Sequence, residues 1–570
     1  MKPKYILLIA CVLFITFTQC KKVLDKSDLS AIDGETISVW SDEKLATAYV
    51  NALSASNLPG WDAFASSKSD ESSGSNNPIL FGQLTSNSVT EFAGAYVNIR
   101  NINLLLANID QGTLTQSLKN SLKGQAYFFR AYRYFELVKQ YGGVPLVLEP
   151  QSRDNQAALN VGRNKTSECI TQIISDLDQA ITLLPRKWTG IDYGRISRAA
   201  ALAYKGRVLL YYASPQFNPT NIANRWENAY LANKNAKDSL TAYGFGLQDD
   251  FSSIWLQEGD ANKEVIFGRR YNDPGATQSR DACVRPLSES ANCNGGSQPS
   301  IEMVNAFPMK NGLAIDDPSS GYDASNFWKN RDPRFDATIV YNGVLYELSG
   351  KSGRKQWTYS GGELSSPSET GFYSKKAINV RLTASESTRS GTDWVDLRFA
   401  EVLLNLAECA NETGRSSATY TELQAVRKRA GIEPGGQNLY GLKSGMSKVE
   451  LTNALMLERK IEFAFEDKRY WDLRRRKLFE TELNGKSRHK VVYTLKNISQ
   501  DDFLKIRDQL NLDGKYDTYF KTDIVELDAT IKINFKPEYY FFAIPQSDLQ
   551  LNPNLKQTMG WDGGTFNPLD

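Results

Sequence analysis

The densest run of ionisable side chains lies near the C-terminal end of the chain, from Glu458 to Arg476. Glu458, Glu462 and Glu466 recur every four residues, so a helix over this run would place all three on one face. Two carboxylates held close together can hydrolyse a glycosidic bond. Arginines and lysines accompany these glutamates, however, and ion pairs between packed helices are the commoner use of such spacing. We therefore predict one helix here, with a structural role for its charges.

The remaining titratable residues argue against catalysis. The chain contains a single histidine, His489, so a Ser-His-Asp triad, a Cys-His pair or a histidine-rich metal site would depend on that residue alone. It lies in the basic run KSRHK, which is typical of a solvated loop. The net charge is +2, with acidic and basic residues well mixed, and this argues against a nucleic-acid partner. The sequence thus predicts no catalytic residue, no metal site and no cofactor.

Binding of a sugar needs other side chains. An aromatic ring can stack on the C–H face of a sugar, while amides and carboxylates hydrogen-bond its hydroxyls. Such residues occur together in several polar loops of this chain. The candidates are Trp61, Asp62, Tyr271, Asn272, Tyr322, Trp328, Asn330, Trp357 and Tyr359. The alternative for each ring is a place in a local loop core.

Helical patterns dominate on both sides of the chain centre. Apolar residues at helical spacing follow cap signals at Ser41, Thr90, Thr166 and Ser197. Further helices are predicted over residues 114–141, 226–243 and 393–413. Paired long helices joined by short turns are typical of helical-hairpin repeats such as TPR. We predict a mainly α fold with a TPR-like scaffold.

The composition changes between residues 249 and 392. Gly, Ser, Asn, Asp and Pro rise, helical periodicity disappears, and EVIFGRRYN and FDATIVYNG have the composition of short strands. In RDPRF, Arg331, Asp332 and Arg334 indicate a turn held by salt bridges. We therefore predict an N-terminal helical region at 41–248, an irregular ligand-binding insertion at 249–392, and a C-terminal region with helix pairs at 393–570.

The N-terminus has the form of an export signal. Lys2 and Lys4 precede an apolar run from Tyr5 to Phe17, which is shorter than the about 20 residues that span a bilayer. The run ends at Cys20, placed like the lipidated cysteine of bacterial lipoproteins. Cys11 would leave too short an apolar run. We predict a cleaved signal over 1–19, lipidation at Cys20 and a tether over 20–40; secretion without a lipid is the alternative.

Two other cysteines lie close together in the sequence. Cys283 and Cys293 flank a polar loop ten residues apart. An exported protein meets an oxidising compartment, so a disulfide between them is possible. Two free thiols remain the alternative.

Several phrases occur in the order found in one family. These are AYFFRAYRYFELVKQYGGVPLV, GRISRAAALAYKGRVLLYYASPQFNP, RDPRFDATIVYNG, LRFAEVLLNLAECANETG, AVRKRAGI, ERKIEFAFEDKRYWDLRR and FAIPQSDLQLNPNLKQTMGW. On these phrases the chain resembles the SusD/RagB family, the glycan- and nutrient-binding outer-membrane lipoproteins of Bacteroidetes. The resemblance implies about four TPR-like helix pairs that support an irregular, loop-rich region. It also implies binding without catalysis, and a ligand surface on the irregular side.

The resemblance further implies a partner and a location. Proteins of this family act with a TonB-dependent, SusC-like outer-membrane barrel and pass captured ligand into it. We therefore expect a lipid-anchored, surface-facing outer-membrane protein that binds a glycan or oligosaccharide. Two alternatives stay open from the residues: a TPR-like scaffold that binds protein or peptide, and a two-carboxylate glycoside hydrolase.

Overall fold

The structure is a computed structural model that describes residues 37–570, except 75–76, 153, 292, 294 and 364–366. The predicted signal peptide, Cys20 and most of the predicted tether lie outside the described residues.

Long helices form the scaffold. They are α1 (Glu43–Asn57), α2 (Glu91–Asn108), α3 (Gln116–Tyr141), α4 (Thr166–Leu183), α5 (Arg198–Ala213), α6 (Ala223–Ala242), α7 (Phe399–Glu412), α8 (Ser416–Arg429), α9 (Lys448–Glu462) and the shorter α10 (Arg469–Arg475). Helix α3 packs on α4, α5 on α6, and α7 on α8; α7 also packs on α6. The two helical parts of the chain therefore form one scaffold. The prediction of a mainly helical fold with paired helices is confirmed.

Local signals explain where these helices begin and end. The side chain of Ser197 caps α5 as predicted, whereas α1 is capped by Asp42 rather than by Ser41. Helix α3 ends at Gly142, whose φ of +75° suits a residue without a side chain. Phe128 and Phe135 of α3 are almost fully buried, because both rings contact Tyr204 of α5 and Phe135 also contacts Tyr211.

Short antiparallel strand pairs accompany the helices. Strand β1 (Val265–Arg269) pairs with β6 (Trp394–Arg398), β2 (Ile339–Val340) with β5 (Tyr373–Ser374), β3 (Val344–Leu345) with β4 (Lys355–Gln356), and β7 (His489–Leu495) with β8 (Phe520–Glu526). Short helices lie at Gln156–Leu159, Arg280–Val284, Ile301–Ala306, Pro333–Thr338, Gln500–Ile506, Tyr516–Tyr519 and Gln546–Leu551. The β1–β6 pair brings together the two ends of the irregular region, with Val265 opposite Arg398.

Two helix predictions were wrong. The start of the helix predicted over 393–413 is strand β6, because Trp394–Arg398 pairs with β1. The helix predicted over 458–476 is broken between Glu462 and Arg469. At the break, Phe463 packs in the scaffold core and Phe465 packs in a second core. The backbone leaves the helical conformation here, with positive φ at Phe465 and Asp467.

The second core joins the irregular region to the C-terminal part of the chain. Phe335 and Trp357 from the irregular region pack with Tyr493 and Phe503 from beyond α10. The region 249–392 therefore buries its apolar surface together with the β7–β8 hairpin and the short helix at Gln500–Ile506.

A buried ionic cluster connects the irregular region to the scaffold. Its cations are Arg334, Lys376, Arg398, Arg427 and Arg429, and its carboxylates are Glu264, Asp332, Glu458, Glu462 and Glu466. Five cations meet five carboxylates, so the cluster is neutral as a whole. The prediction that the glutamates around Glu462 form ion pairs is confirmed. Asp332 also caps the helix Pro333–Thr338 and pairs with Arg334, which confirms that salt bridge in RDPRF. Arg331 instead donates to the backbone carbonyls of Val304, Phe307 and Phe327.

Candidate functional site

An open groove lies between the loop of residues 58–90 and the helical scaffold. We call it the loop groove; it is lined by that loop, by α3 and α5, by β6, and by the turn between α9 and α10. Its cavity volume is about 590 Å³, within the range of about 300–1,000 Å³ that is usual for ligand sites. Parts of the chain about 400 residues apart in sequence meet here, and the β1–β6 pair and the broken helix position them.

Three half-buried tryptophans line the loop groove: Trp61, Trp394 and Trp471. The indole Nε1 of Trp61 donates to the carbonyl of Thr392 at 3.0 Å, and the Arg280 guanidinium lies 4.2 Å from the Trp61 ring centre. Both contacts hold the ring in place while leaving part of it accessible. Fixed, partly exposed indoles are suited to stacking on an apolar ligand face.

Most charges in the loop groove are neutralised by the protein itself. Arg207 of α5 binds the carboxylate of Asp396 at 3.0 Å and that of Glu401 at 2.7 Å. Lys468 donates to the carbonyl of Asp396 at 2.6 Å. Burial alone would raise the pKa of Glu401, but Arg207 and Lys468 lower it far below its ordinary value. These charged groups bind one another, so they are held in fixed positions along one side of the groove.

Two charged side chains of the groove lack such partners. Oδ1 of Asp467 is shielded from solvent and accepts no hydrogen bond from the described residues. Lys68 forms no ion pair within 4 Å with any residue that the structure describes. Burial would lower the pKa of Lys68, but Asp467, Tyr470 and nearby carboxylates raise it above its ordinary value. Lys68 is therefore a cation, free to bind a ligand.

The structure places the first predicted residues around this groove. Trp61 and Asp62 line it; Asp62 is exposed, and its Oδ1 accepts from the backbone N–H of Phe64 at 2.8 Å. Tyr271 is only 7% exposed and lies behind Gly60, where an added Cβ would come within 2.1 Å of its hydroxyl oxygen. Asn272 is exposed, and its backbone pairs with that of Ala276.

A second group of predicted residues lies on another surface. Trp328 stacks on Tyr341 at 5.4 Å between ring centres, and Arg331 lies 5.7 Å from the Tyr322 ring centre. Asn330 is exposed, and its carbonyl accepts from the backbone N–H of Lys310 at 2.7 Å. Tyr322, Trp328 and Asn330 do not line the loop groove, so the predicted residues do not form one site.

Trp357 and Tyr359 are enclosed in the second core, with exposed fractions of 3% and 0%. Trp357 Nε1 donates to Asp508 at 2.9 Å, and the Tyr359 hydroxyl accepts from Arg507 at 3.1 Å. An enclosed ring offers no face to a sugar, so we revise the prediction for these two residues and, for the same reason, for the Tyr271 ring. The flanking glycines predicted an exposed loop. The rings of Trp357 and Tyr359 are nevertheless buried, because residues between 503 and 520 pack on both of them.

Other predicted features have clear positions. Cys283 and Cys293 form a disulfide, which resolves the alternative of two free thiols. His489 begins strand β7 rather than lying in a loop, with its Nδ1 2.6 Å from a carboxylate oxygen of Glu302. Within the described part of the chain, no group of three or more His, Cys, Asp and Glu residues is arranged to hold a metal ion.

Trp394, Trp471, Lys68 and Asp467 are groove residues that the sequence analysis missed. Trp394 and Trp471 stand in segments predicted as helix, and Asp467 stands inside the expected continuous helix. The helix breaks after the apolar run Phe463–Phe465, but no local signal in the sequence indicates that the break places Asp467 in the groove.

A helical scaffold with an open, indole-lined groove defines a class of ligand-binding proteins. Residues 263–561 match the family model described as the SusD family, and residues 22–210 match a model described as starch-binding, associating with the outer membrane. The first match alone covers more than half of the chain. The chain belongs to the SusD family. This is a family of non-catalytic binding proteins, which confirms the prediction that the chain is not an enzyme.

Relatives and solved structures agree with the family. A SusD-like protein of Formosa agariphila, P2, is 27% identical over 67% of this chain and 70% of its own length. A SusD-like protein of Bacteroides ovatus is 23% identical over 78% of this chain and 76% of its own length. The crystal structure of a SusD-like protein from Bacteroides fragilis has a TM-score of 0.76 at 25% identity, covering 94% of this chain and 100% of that one. A SusD-like carbohydrate-binding protein from the same organism has a TM-score of 0.71 at 23% identity, covering 91% of this chain and 100% of that one.

The second family model places proteins of this kind at the outer membrane. Among the described residues, no helix is both long enough and apolar enough to cross a membrane.

Proposed function

We propose that this chain is an outer-membrane lipoprotein that binds an extracellular glycan in the loop groove and delivers it to a TonB-dependent, SusC-like barrel. The observation that carries the ligand assignment is the set of three half-buried tryptophans beside unpaired polar groups in one groove. Family membership and the carbohydrate-binding structural neighbour support the ligand class.

The loop groove is chemically complementary to a sugar. A sugar buries its apolar face on an indole and needs its hydroxyls hydrogen-bonded at the same time. Trp61 and Trp471 supply indole surface in the loop groove. Asp467, Lys68 and the exposed Asp62 supply acceptors and donors in that groove. The groove is open, so a chain longer than one sugar can lie along it.

Affinity measurements on single-ring variants test this proposal. The native protein is first screened against a panel of neutral and charged polysaccharides by affinity electrophoresis and calorimetry. We expect Trp61→Ala to weaken binding of the best glycan by about 1–3 kcal/mol, or roughly 5- to 150-fold in Kd.

The matched control is Trp328→Ala, which removes a half-buried ring on the other surface. It should leave the affinity unchanged. Loss of binding in the Trp328 variant with full binding by the Trp61 variant would move the site to that surface. Binding of peptides but of no glycan would instead favour the protein-binding scaffold.

The anchor and the partner are tested separately. A Cys20→Ala variant should leave the membrane fraction of the native host, because it removes the proposed lipidated residue; full retention in that fraction would contradict the anchor. The native protein should copurify with a TonB-dependent barrel after mild detergent extraction, and copurification without any such barrel would contradict the partner.

A further inference from the structure

The turn between α9 and α10 holds its backbone in an unusual conformation. Phe465 has a φ of +60° and Asp467 a φ of +57°, a region that residues with a side chain rarely adopt. Such conformations cost free energy and persist where the surroundings enforce them, often at functional sites. Here they place a carboxylate in the loop groove.

Neighbouring contacts hold this turn on both sides of Asp467. The backbone N–H of Phe465 donates to Glu71 at 3.1 Å, and Glu466 is paired with Arg398 and Lys376 in the ionic cluster. On the other side, Lys468 donates to the carbonyl of Asp396. Phe465, Glu466 and Lys468 thus all bond to other protein groups. Oδ1 of Asp467, in contrast, is shielded from solvent and accepts no hydrogen bond from the described residues.

An unpaired, shielded carboxylate oxygen is costly. Leaving such an acceptor without a donor costs a free energy of about 1–3 kcal/mol, and more for a charged group. Burial raises the pKa of Asp467 above its ordinary value, although Lys68, Lys139 and Lys468 oppose this shift and Asp62 adds to it. No described residue donates a hydrogen bond to this oxygen, so we consider a ligand as the donor.

Lys68 is the second polar group of this arrangement, and it stands far from Asp467 in the sequence. It lines the same groove, feels the charge of Asp467, and forms no ion pair with a described residue. A hydroxyl group can donate to a carboxylate and a neighbouring hydroxyl can accept from an ammonium. Hydroxyls of a glycan that occupies the groove can therefore bond both groups.

The remaining charge of the groove limits which glycan can enter. Arg207, Lys139 and Lys468 are each paired with a carboxylate of the protein. Three carboxylates, those of Asp62, Glu91 and Asp467, face the groove without an ion pair among the described residues, against the single free cation of Lys68. A sulfate or uronate group would therefore meet net repulsion.

We infer that Asp467 and Lys68 are the polar recognition pair of the loop groove, and that they select a neutral glycan with free hydroxyls over a sulfated or uronate-rich one. The inference rests on the proposed function and names the ligand class of the same site.

The experiment compares Asp467→Asn and Lys68→Met with the native protein. The probes are a sulfated galactan with its desulfated form, a polyuronate with its carboxyl-reduced form, and the best neutral glycan of the screen. The native protein should bind each uncharged form at least 10-fold more tightly than its charged form. Asp467→Asn should weaken binding of the neutral glycan at least 10-fold and bring the charged and uncharged forms closer together in affinity. Lys68→Met should weaken the neutral glycan without relieving the rejection of the charged forms.

A stability readout separates recognition from structure. Asp467→Asn removes the shielded charge and keeps a residue type that tolerates positive φ, so its thermal midpoint should equal or exceed that of the native protein. A matched control, Asp502→Asn with Lys505→Met, changes an exposed pair outside the groove and should alter neither affinity nor stability.

Several results would overturn the inference. They are unchanged glycan affinity in both variants while Trp61→Ala loses binding, tighter native binding of the charged glycans, or a lower thermal midpoint for Asp467→Asn. The first of these leaves the proposed function intact. Absence of glycan binding by the native protein would overturn both.

Discussion

Replacing Glu462 by Gln should destabilise this protein more than any exposed charge change. Glu462 lies at the centre of the ionic cluster, where its carboxylate contacts Arg334 at 2.7 Å, Arg398 at 2.5 Å and Arg429. Its side chain is 0% exposed. Burial alone would raise the pKa of Glu462, but Arg429, Arg398 and Arg334 hold that pKa well below its ordinary value, so the group is ionised.

The magnitude follows from the charge balance. The cluster contains five cations and five carboxylates, and none of their side chains is more than 6% exposed. Glutamine has nearly the same shape as glutamate, so the substitution removes one charge without opening a cavity. It leaves one uncompensated positive charge away from water, which costs about 3–5 kcal/mol when one partner of a buried pair is removed.

Urea unfolding, followed by tryptophan fluorescence and by circular dichroism, measures this loss. The matched control is Asp238→Asn, which breaks the exposed i,i+4 pair with Lys234 and should cost at most about 0.5 kcal/mol. Glycan affinity of the Glu462 variant should match that of the native protein at temperatures where it is folded. Equal stability losses in the two variants, or a loss below about 1 kcal/mol for Glu462→Gln, would refute the reasoning.

Two further predictions concern pH and the disulfide. Burial raises the pKa of Glu71 to about 8. The backbone hydrogen bond from Phe465 opposes this shift, and the charge of Asp70 adds to it. Because the folded state then binds a proton that the unfolded state has lost, Glu71 should make stability fall by up to about 1.4 kcal/mol per unit as pH rises from about 5 to 8. Glu71→Gln should remove that part of the slope in urea titrations, and an identical slope in both proteins would contradict it. Replacing Cys283 and Cys293 by serine should lower stability by about 2–3 kcal/mol, since the bond closes a short loop; reductant should lower the thermal midpoint of the native protein, and should have no effect on the variant.

Local sequence signals predicted much of the scaffold. The cap at Ser197, the apolar spacing of α3 and the glycine that ends it depend on residues close together in the chain. Such interactions can be read without knowing the fold. The ion pairs around Glu462 were also predictable in kind, because charges at helical spacing beside aromatic residues require partners. Which arginines would supply them was not predictable.

The candidate site was predictable only in part. Trp61 and Asp62 were identified because the loop that carries them is long and polar. Trp357 and Tyr359 show the opposite outcome: a polar, glycine-flanked sequence surrounds rings that the structure buries. Burial is decided by what packs on a ring, and here the packing residues lie about 150 positions further along the chain.

By itself, the sequence determined the helical class, the main helix boundaries and the family, because these depend on neighbours within a few turns or on ordered phrases. The tertiary structure alone decided that the expected helix over 458–476 breaks, that Asp467 and Lys68 line one groove, and that Trp394 lines it together with Trp61. Each of these outcomes depends on contacts between residues that are far apart in the sequence. Such contacts join positions up to about 400 residues apart, so no local sequence pattern predicts them.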